Sequence, residues 1–320
     1  MVMDLEKPDL DMQPENSFKP KVAVWMVTYN HEKYITQAIE SVMAQQADFD
    51  FRLYIGEDCS TDETRNICKA MQAKYPGKIE LVLHEKNVGG NANARQIFNL
   101  CFHSGAKYVA MLEGDDYWTD ALKLQKQVVF FEQNTDYILH SGSAQVERNG
   151  IETSQMMGGN GDFTFALPDF YTQNNLVTCT VMFRNMALDF PDFYKKSYFG
   201  DWSLYVYMLM QSNGKAFRSN EVFAMYRIHE NGMMHALTTI KKTEWHMNQI
   251  QLIKDYVGYK KFAASDIQNI NTYLVVKFRV LLKNRSFFEA MGVFLLNFKF
   301  SKFQMPFKKY AGALKQSLQS

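Results

Sequence analysis

Four short apolar runs punctuate the first half of the chain, and the apolar residues between them fall at helical spacing. Val22-Ala23-Val24-Trp25-Met26-Val27, Phe51-Arg52-Leu53-Tyr54-Ile55, Ile79 to Leu83 and Tyr108-Val109-Ala110-Met111-Leu112 contain no Gly or Pro and read as buried parallel strands. Tyr34, Ala38, Ile39, Val42 and Met43 mark a helix after the first run. Ile67, Ala70 and Met71 mark one after the second, and Ala94, Ile97, Phe98 and Cys101 one after the third. A further helix, rich in Leu, Val and Phe, starts near Thr119. Ser60-Thr61-Asp62-Glu63 fits a capping box, Pro76-Gly77 is a helix stop, and Asn87-Val88-Gly89-Gly90 is a turn. Repeated strand–helix units predict an α/β domain built on a mostly parallel central sheet flanked by helices.

Beyond residue 140 the pattern loosens. Gly158-Gly159-Asn160-Gly161 reads as a flexible loop, and Thr178-Cys179-Thr180-Val181-Met182-Phe183 as a strand. A helix opens at Asp201, and Ala216-Phe217 and Val222-Phe223-Ala224-Met225-Tyr226 read as two short strands. From about residue 236 the pattern is helical. The expected organisation is a mobile leader at 1–18, a catalytic domain at 19–235 with halves at 19–140 and 141–235, and a helical C-terminal extension at 236–320.

Composition narrows the classes. The apolar fraction is 47%, enough for a sizeable core, and the net charge of +1 gives no footprint for nucleic acid. The four cysteines (Cys59, Cys68, Cys101, Cys179) form no C-x-x-C pair and no metal spacing with His, which reads as a reduced, cytoplasmic protein. The first residues are acidic and polar, unlike a signal peptide. No apolar stretch reaches the roughly 18 residues that a membrane span requires.

Chemistry concentrates where strands end. Glu113-Gly114-Asp115-Asp116 follows the fourth run, and ligands of open α/β sheets bind at the carboxyl ends of strands. Two adjacent carboxylates there suit a hard divalent cation held against a diphosphate. Thr28-Tyr29-Asn30 after the first run and Glu57-Asp58-Cys59-Ser60 after the second should meet the same edge. No G-x-G-x-x-G follows the first run and no P-loop occurs, so a nucleoside diphosphate fits better than a dinucleotide.

As an ordered set, these pieces resemble an inverting family 2 glycosyltransferase of GT-A fold, of the kind that builds bacterial surface polysaccharides. The matching segments are Val27-Thr28-Tyr29-Asn30, Ser41 to Gln45, Glu57 to Asp62, Asn87 to Gly90 with Arg95, and Glu113 to Trp118. Gly200-Asp201-Trp202 and Tyr226-Arg227-Ile228-His229 complete the set, and the match runs over roughly residues 20–235. The resemblance implies a UDP-sugar donor, Mg²⁺ or Mn²⁺, and a glycan or lipid-linked glycan acceptor. It places Thr28 and Tyr29 at the nucleoside, Asn30 and Glu57 among the donor-binding residues, and Asp58 at the base. Arg95 falls near the base or phosphates, Asp115 at the ribose, and Asp116 and His229 at the metal. Glu57 stands where the family usually has Asp, and Gly200 where a Glu usually precedes the catalytic base, Asp201. Trp202 is placed to stack on an acceptor sugar.

Plainer readings stand beside these. Asp115-Asp116 could be a solvated turn, Asp58 and Asp201 helix-start residues, His229 a loop histidine, and Trp202 core. Two other classes fit less well. One is a nucleotide-sugar-binding scaffold without turnover. The other is a nucleotidyltransferase, which should carry a Gly-rich basic loop where Thr28 to Glu32 stand. The tail from Phe287 to Tyr310 mixes Phe with Lys, and residues 271–320 carry nine Lys or Arg against one acid. It reads either as a packed helix with a basic outer face or as a peripheral contact with an anionic membrane, at the inner face of the plasma membrane.

Overall fold

The computed structural model describes residues 19–230, 232, 237–259, 263–301 and 305–317. The expected leader, and Lys302 and Phe303 of the tail, lie outside the described residues. The first half alternates as expected: β1 (Val22–Thr28), α1 (Ile35–Met43), β2 (Phe51–Glu57), α2 (Thr64–Lys74), β3 (Ile79–Leu83), α3 (Gly90–His103) and β4 (Tyr108–Met111). β5 (Tyr117–Trp118), α4 (Lys123–Gln133), β6 (Tyr137–Arg148), β7 (Ile151–Met157), β8 (Phe163–Phe165) and β9 (Met182–Arg184) follow. The chain continues through α5 (Asp192–Lys195), α6 (Gly200–Ser212), β10 (Lys215–Ile228), α7 (Thr239–Tyr256), α8 (Ala264–Lys283), α9 (Phe287–Ser301) and α10 (Phe307–Ser317). No described helix is long and apolar enough to cross a membrane.

The strands form one sheet in the order β3-β2-β1-β4-β9-β6-β10-β5, with β7 on β6 and β8 on β10. The β3-β2-β1-β4 half is parallel throughout. The other half is mixed: β9 is antiparallel to β4 and β6, and β6 is parallel to β10. Two antiparallel steps restore the original direction, so β10 exits at the same edge as β1, β2 and β4. That brings residue 229 to the strand ends of the first half.

Side chains of β1 alternate between two cores, as the pleat requires. Val22, Val24 and Met26 pack with α1, α2 and α4, while Ala23 and Trp25 pack with α3, α6 and the C-terminal helices. α3 sits so close to β2 that a Cβ on Gly56 would fall 2.0 Å from Asn93 Oδ1. The Asn93 amide instead donates to the Gly56 carbonyl at 2.9 Å.

Three local expectations are corrected. The capping box at Ser60 to Glu63 does not form. Ser60 Oγ accepts the Asn30 N–H, and Asp62 accepts those of Thr64 and Glu32, so these residues tie the β1 and β2 loops together. The strand expected over 178–183 begins as a 3₁₀ turn at Thr178–Thr180, where the Thr180 hydroxyl bonds the Val177 carbonyl at 2.7 Å and bends the backbone. The two short strands near 216 and 222 are one long β10, irregular in register between Arg218 and Val222. β6 escaped the hydrophobic pattern because His140, Ser141 and Ser143 are buried within it. Gln127 and Thr180 satisfy His140 and Ser141 by hydrogen bonds.

Candidate active site

The acidic turn after β4 is stitched to β1, with the Gly114 N–H on the Val27 carbonyl at 3.0 Å. A Cβ on Gly114 would fall 2.8 Å from Thr28 Cβ, so only glycine lets the turn lie on the end of β1. Thr28 is buried there, and its Oγ1 is 3.2 Å from His31 Nδ1.

Asp115 faces two imidazoles. Its Oδ2 is 3.1 Å from His229 Nε2 and 3.7 Å from His31 Nε2. Burial raises the Asp115 carboxyl, but His31 and His229 outweigh burial and hold it below the usual carboxylate range. His31 itself is lowered by burial, with Asp115 pulling the other way. The His229 ring packs on Tyr34 with centroids 4.5 Å apart, and its buried Nδ1 has no partner among the described residues.

Asp116, expected at the metal, is turned inward. It is 2% exposed, and its Oδ1 accepts the Arg227 N–H at 2.7 Å. Burial, then the charges of Asp115 and Glu113, push its carboxyl well above the ordinary value. His229 therefore meets Asp115, the residue expected at the ribose. Arg227 clamps the turn from β10: Nη1 donates to the Asp115 carbonyl, Nη2 to Gln37, and Nε pairs with Glu147 at 3.1 Å. Its guanidinium lies 4.3 Å from the centre of the Tyr117 ring.

The loops after β1 and β2 are largely occupied with each other. Asn30, at a left-handed φ of 55°, accepts the Thr61 N–H on Oδ1. Glu57 is fully buried; Oε1 accepts the Ser60 N–H at 2.6 Å and Oε2 pairs with Arg65. Asn30 and Glu57 thus staple these loops together, Glu57 from a fully buried position and Asn30 from a half-buried one. Asp58 receives the N–H groups of Val88 and Gly89 at 2.7 and 3.0 Å, fixing the loop that leads into α3. Tyr29 is 41% exposed just past the end of β1. Arg95, half-buried on α3, lies close enough to Tyr194 for its charge to be felt by that phenol.

Asp201 occupies the first turn of α6 rather than its cap, which is Phe199. Thr178 Oγ1 and Asn174 Nδ2 both donate to its Oδ2, at 2.5 and 2.9 Å. Burial raises the Asp201 carboxyl; the Thr178 hydroxyl, the backbone N–H groups of Trp202 and Asp201, and the Asn174 amide offset part of the rise. Glu113 joins the two ends of the site. Burial, then the charges of Asp115 and Asp201, raise it to about 8, and its Oε2 is buried without a partner among the described residues. Trp202 does not line a pocket. It is 2% exposed, and its indole N–H donates to the Phe170 carbonyl at 2.7 Å. A flat ring so enclosed has no face to offer a sugar.

Sequence reasoning gave no role to His31, Glu113, Thr178, Asn174 or Arg227. Glu113 and Arg227 stood inside the matching segments. Thr178 and Asn174 lie in the loosely patterned stretch and carried no signal.

The sequence pattern described as "Glycosyl transferase family 2" matches residues 23–189. An uncharacterized protein of Mycobacterium tuberculosis is 28% identical over 225 residues, covering 70% of this chain and 63% of that protein. The chain thus spans less than two thirds of the length of the first curated relatives it matches. The putative teichuronic acid biosynthesis glycosyltransferase TuaG of Bacillus subtilis is 25% identical over 233 residues, 72% of this chain and 87% of TuaG. The crystal structure of S. aureus TarS 1–349 in complex with UDP-GlcNAc superposes with a TM-score of 0.55. It is 18% identical and covers 93% of this chain and 81% of that one. At that identity the likeness shows the GT-A fold.

Proposed function

The chain belongs to glycosyl transferase family 2, and on that premise we propose that it is a metal-dependent, inverting transferase. It moves a sugar from a UDP-sugar to a hydroxyl of a glycan or lipid-linked glycan in surface polysaccharide synthesis. The name of TuaG, which refers to teichuronic acid, and the UDP-GlcNAc bound to TarS support the substrate classes.

The residues present fit a divalent cation at Asp115 and His229. A carboxylate held ionised by its surroundings faces an imidazole nitrogen, a donor set suited to Mn²⁺ or Mg²⁺. Among the described residues no three such side chains form a cage. The diphosphate and water would supply the remaining ligands, as is usual for Mg²⁺ sites. When bound, the ion offsets charge developing on the departing diphosphate. In this reading Asp116 braces β10 and is not a ligand.

The chain's own residues do the rest. Tyr29 covers the nucleoside. Asp58 is assigned to the base: only 2% exposed, it accepts one backbone N–H on each oxygen and keeps a lone pair on each. Asp201 takes the proton of the acceptor hydroxyl as that oxygen bonds to the anomeric carbon and the carbon–diphosphate bond breaks. A single in-line displacement through an oxocarbenium-like state inverts the centre. Thr178 and Asn174 fix the base by one oxygen and leave Oδ1 without a side-chain donor among the described residues.

One observation carries this reading: the carboxyls of Asp115 and Asp201 both lie close enough to Glu113 to raise it, so the proposed ion-binding and base ends are neighbours on either side of that residue. Calorimetry of UDP, GDP and dTDP with Mn²⁺ or EDTA tests it. UDP should bind only with Mn²⁺, and Asp201→Asn should keep that binding while losing transfer. No nucleotide binding by folded protein, or near-normal transfer by Asp201→Asn, overturns it.

A further inference from the structure

Helix α9 is built inside out. Its sequence, FFEAMGVFLLNFKFS, is apolar almost all round, which in a globular protein calls for cover on every side. Cover comes from one side only. Ala290 and Val293 are buried, and α9 packs on α7 and α8. Two polar residues of α9, Glu289 and Asn297, turn inward to neighbouring helices. Asn297 is fully buried and donates to Tyr310 Oη at 2.7 Å, and Glu289 accepts the Ile240 N–H at the start of α7. Phe288, Met291, Leu295 and Phe298, spaced by three or four residues, form one stripe facing water at 97, 55, 58 and 54% exposure. Phe287 beside it is also exposed. Phe307 of α10 extends the apolar surface, its ring 6.3 Å from that of Phe294.

Charge selects the occupant. Exposed Lys283 and Arg285 precede the stripe, Lys299 lies in its last turn, and Lys308, Lys309 and Lys315 follow on α10. The single carboxylate of residues 271–320 is Glu289, already engaged at α7. A second copy of the chain placed on this face would set cations against cations with no acid on these helices to answer them. A surface that is apolar inside and anionic outside meets both features.

We propose that the outer face of α9, with the start of α10, docks on the surface of an anionic lipid bilayer. Phe288, Met291, Leu295 and Phe298 enter the acyl boundary, and the flanking cations meet the headgroups. The contact is peripheral and independent of the donor site.

Flotation of the full chain with vesicles of phosphatidylcholine, alone or mixed with phosphatidylglycerol, tests the proposal. Binding should be at least about tenfold tighter to the anionic vesicles and should weaken with salt. Leu295→Glu and Phe298→Glu alter exposed positions, so circular dichroism melts should stay near wild type while vesicle binding falls about tenfold or more. Lys299→Glu with Lys308→Glu should erase the preference for anionic lipid. Equal binding to both vesicle types overturns the charge argument. Absence of binding to either, or a dimer in sedimentation velocity that Leu295→Glu dissolves, overturns the proposal.

Discussion

His229 Nε2 lies 3.1 Å from Asp115 Oδ2, although 114 residues separate the two in the chain. The pair exists because β9 reverses direction twice between β4 and β6, so that β10 delivers His229 to the edge where the acidic turn sits. If Asp115 and His229 hold the cation, Asp115→Asn and His229→Ala should each weaken Mn²⁺-dependent UDP binding by at least about tenfold. Asp116→Asn, which keeps an oxygen for the Arg227 N–H, should bind nearly as wild type. Calorimetry on the three variants separates the roles; loss only in Asp116→Asn would restore Asp116 as the ligand.

The Thr178 hydroxyl stabilises the ionised form of Asp201 against burial. Removing it with Thr178→Val should raise the Asp201 pKa further. The acid limb of the kcat/KM profile would then move to higher pH, with Thr178→Ser restoring it. A profile that loses height without moving along the pH axis would assign Thr178 a packing role alone.

Asp201 should also cost stability. Its folded pKa lies above its unfolded value, so the folded state binds the proton more tightly. That contribution is full below the unfolded pKa, near 3.9, and is lost as pH rises through the folded one. Asp201→Asn should therefore melt above wild type at pH 7 and show little or no gain near pH 3.5. A variant that melts below wild type at neutral pH would mean that the Thr178 and Asn174 bonds outweigh the burial of charge.

Trp202 fills the core and bonds the Phe170 carbonyl. Trp202→Ala should cost about 3–5 kcal/mol of folding stability by denaturant titration. Trp202→Phe should keep the acceptor KM while losing part of that stability. A large rise in acceptor KM in a stable Trp202→Phe enzyme would return the ring to the acceptor site.

The sequence announced what depends on neighbours in the chain. β1 to β4 and their helices follow from apolar runs and helical spacing, and Glu113 to Asp116 follow directly from β4, so their place at the sheet edge was legible. β6 was not, because its buried His140 and Ser141 owe their tolerance to hydrogen bonds from Gln127 and Thr180 on other elements. Trp202 and Asp116 are turned away from their expected positions for the same reason: a motif names a residue without saying which way its side chain turns.

By itself the sequence determined the α/β class, the acidic turn at a strand exit and a carboxylate at the start of the helix that opens near residue 201. The tertiary structure alone decided that Asp115 rather than Asp116 meets His229, that Glu57 and Asn30 staple loops, and that Asn297 and Glu289 of α9 turn inward. Each of these depends on a hydrogen bond or burial shared by residues far apart in the chain, and local patterning carries no term for such partners.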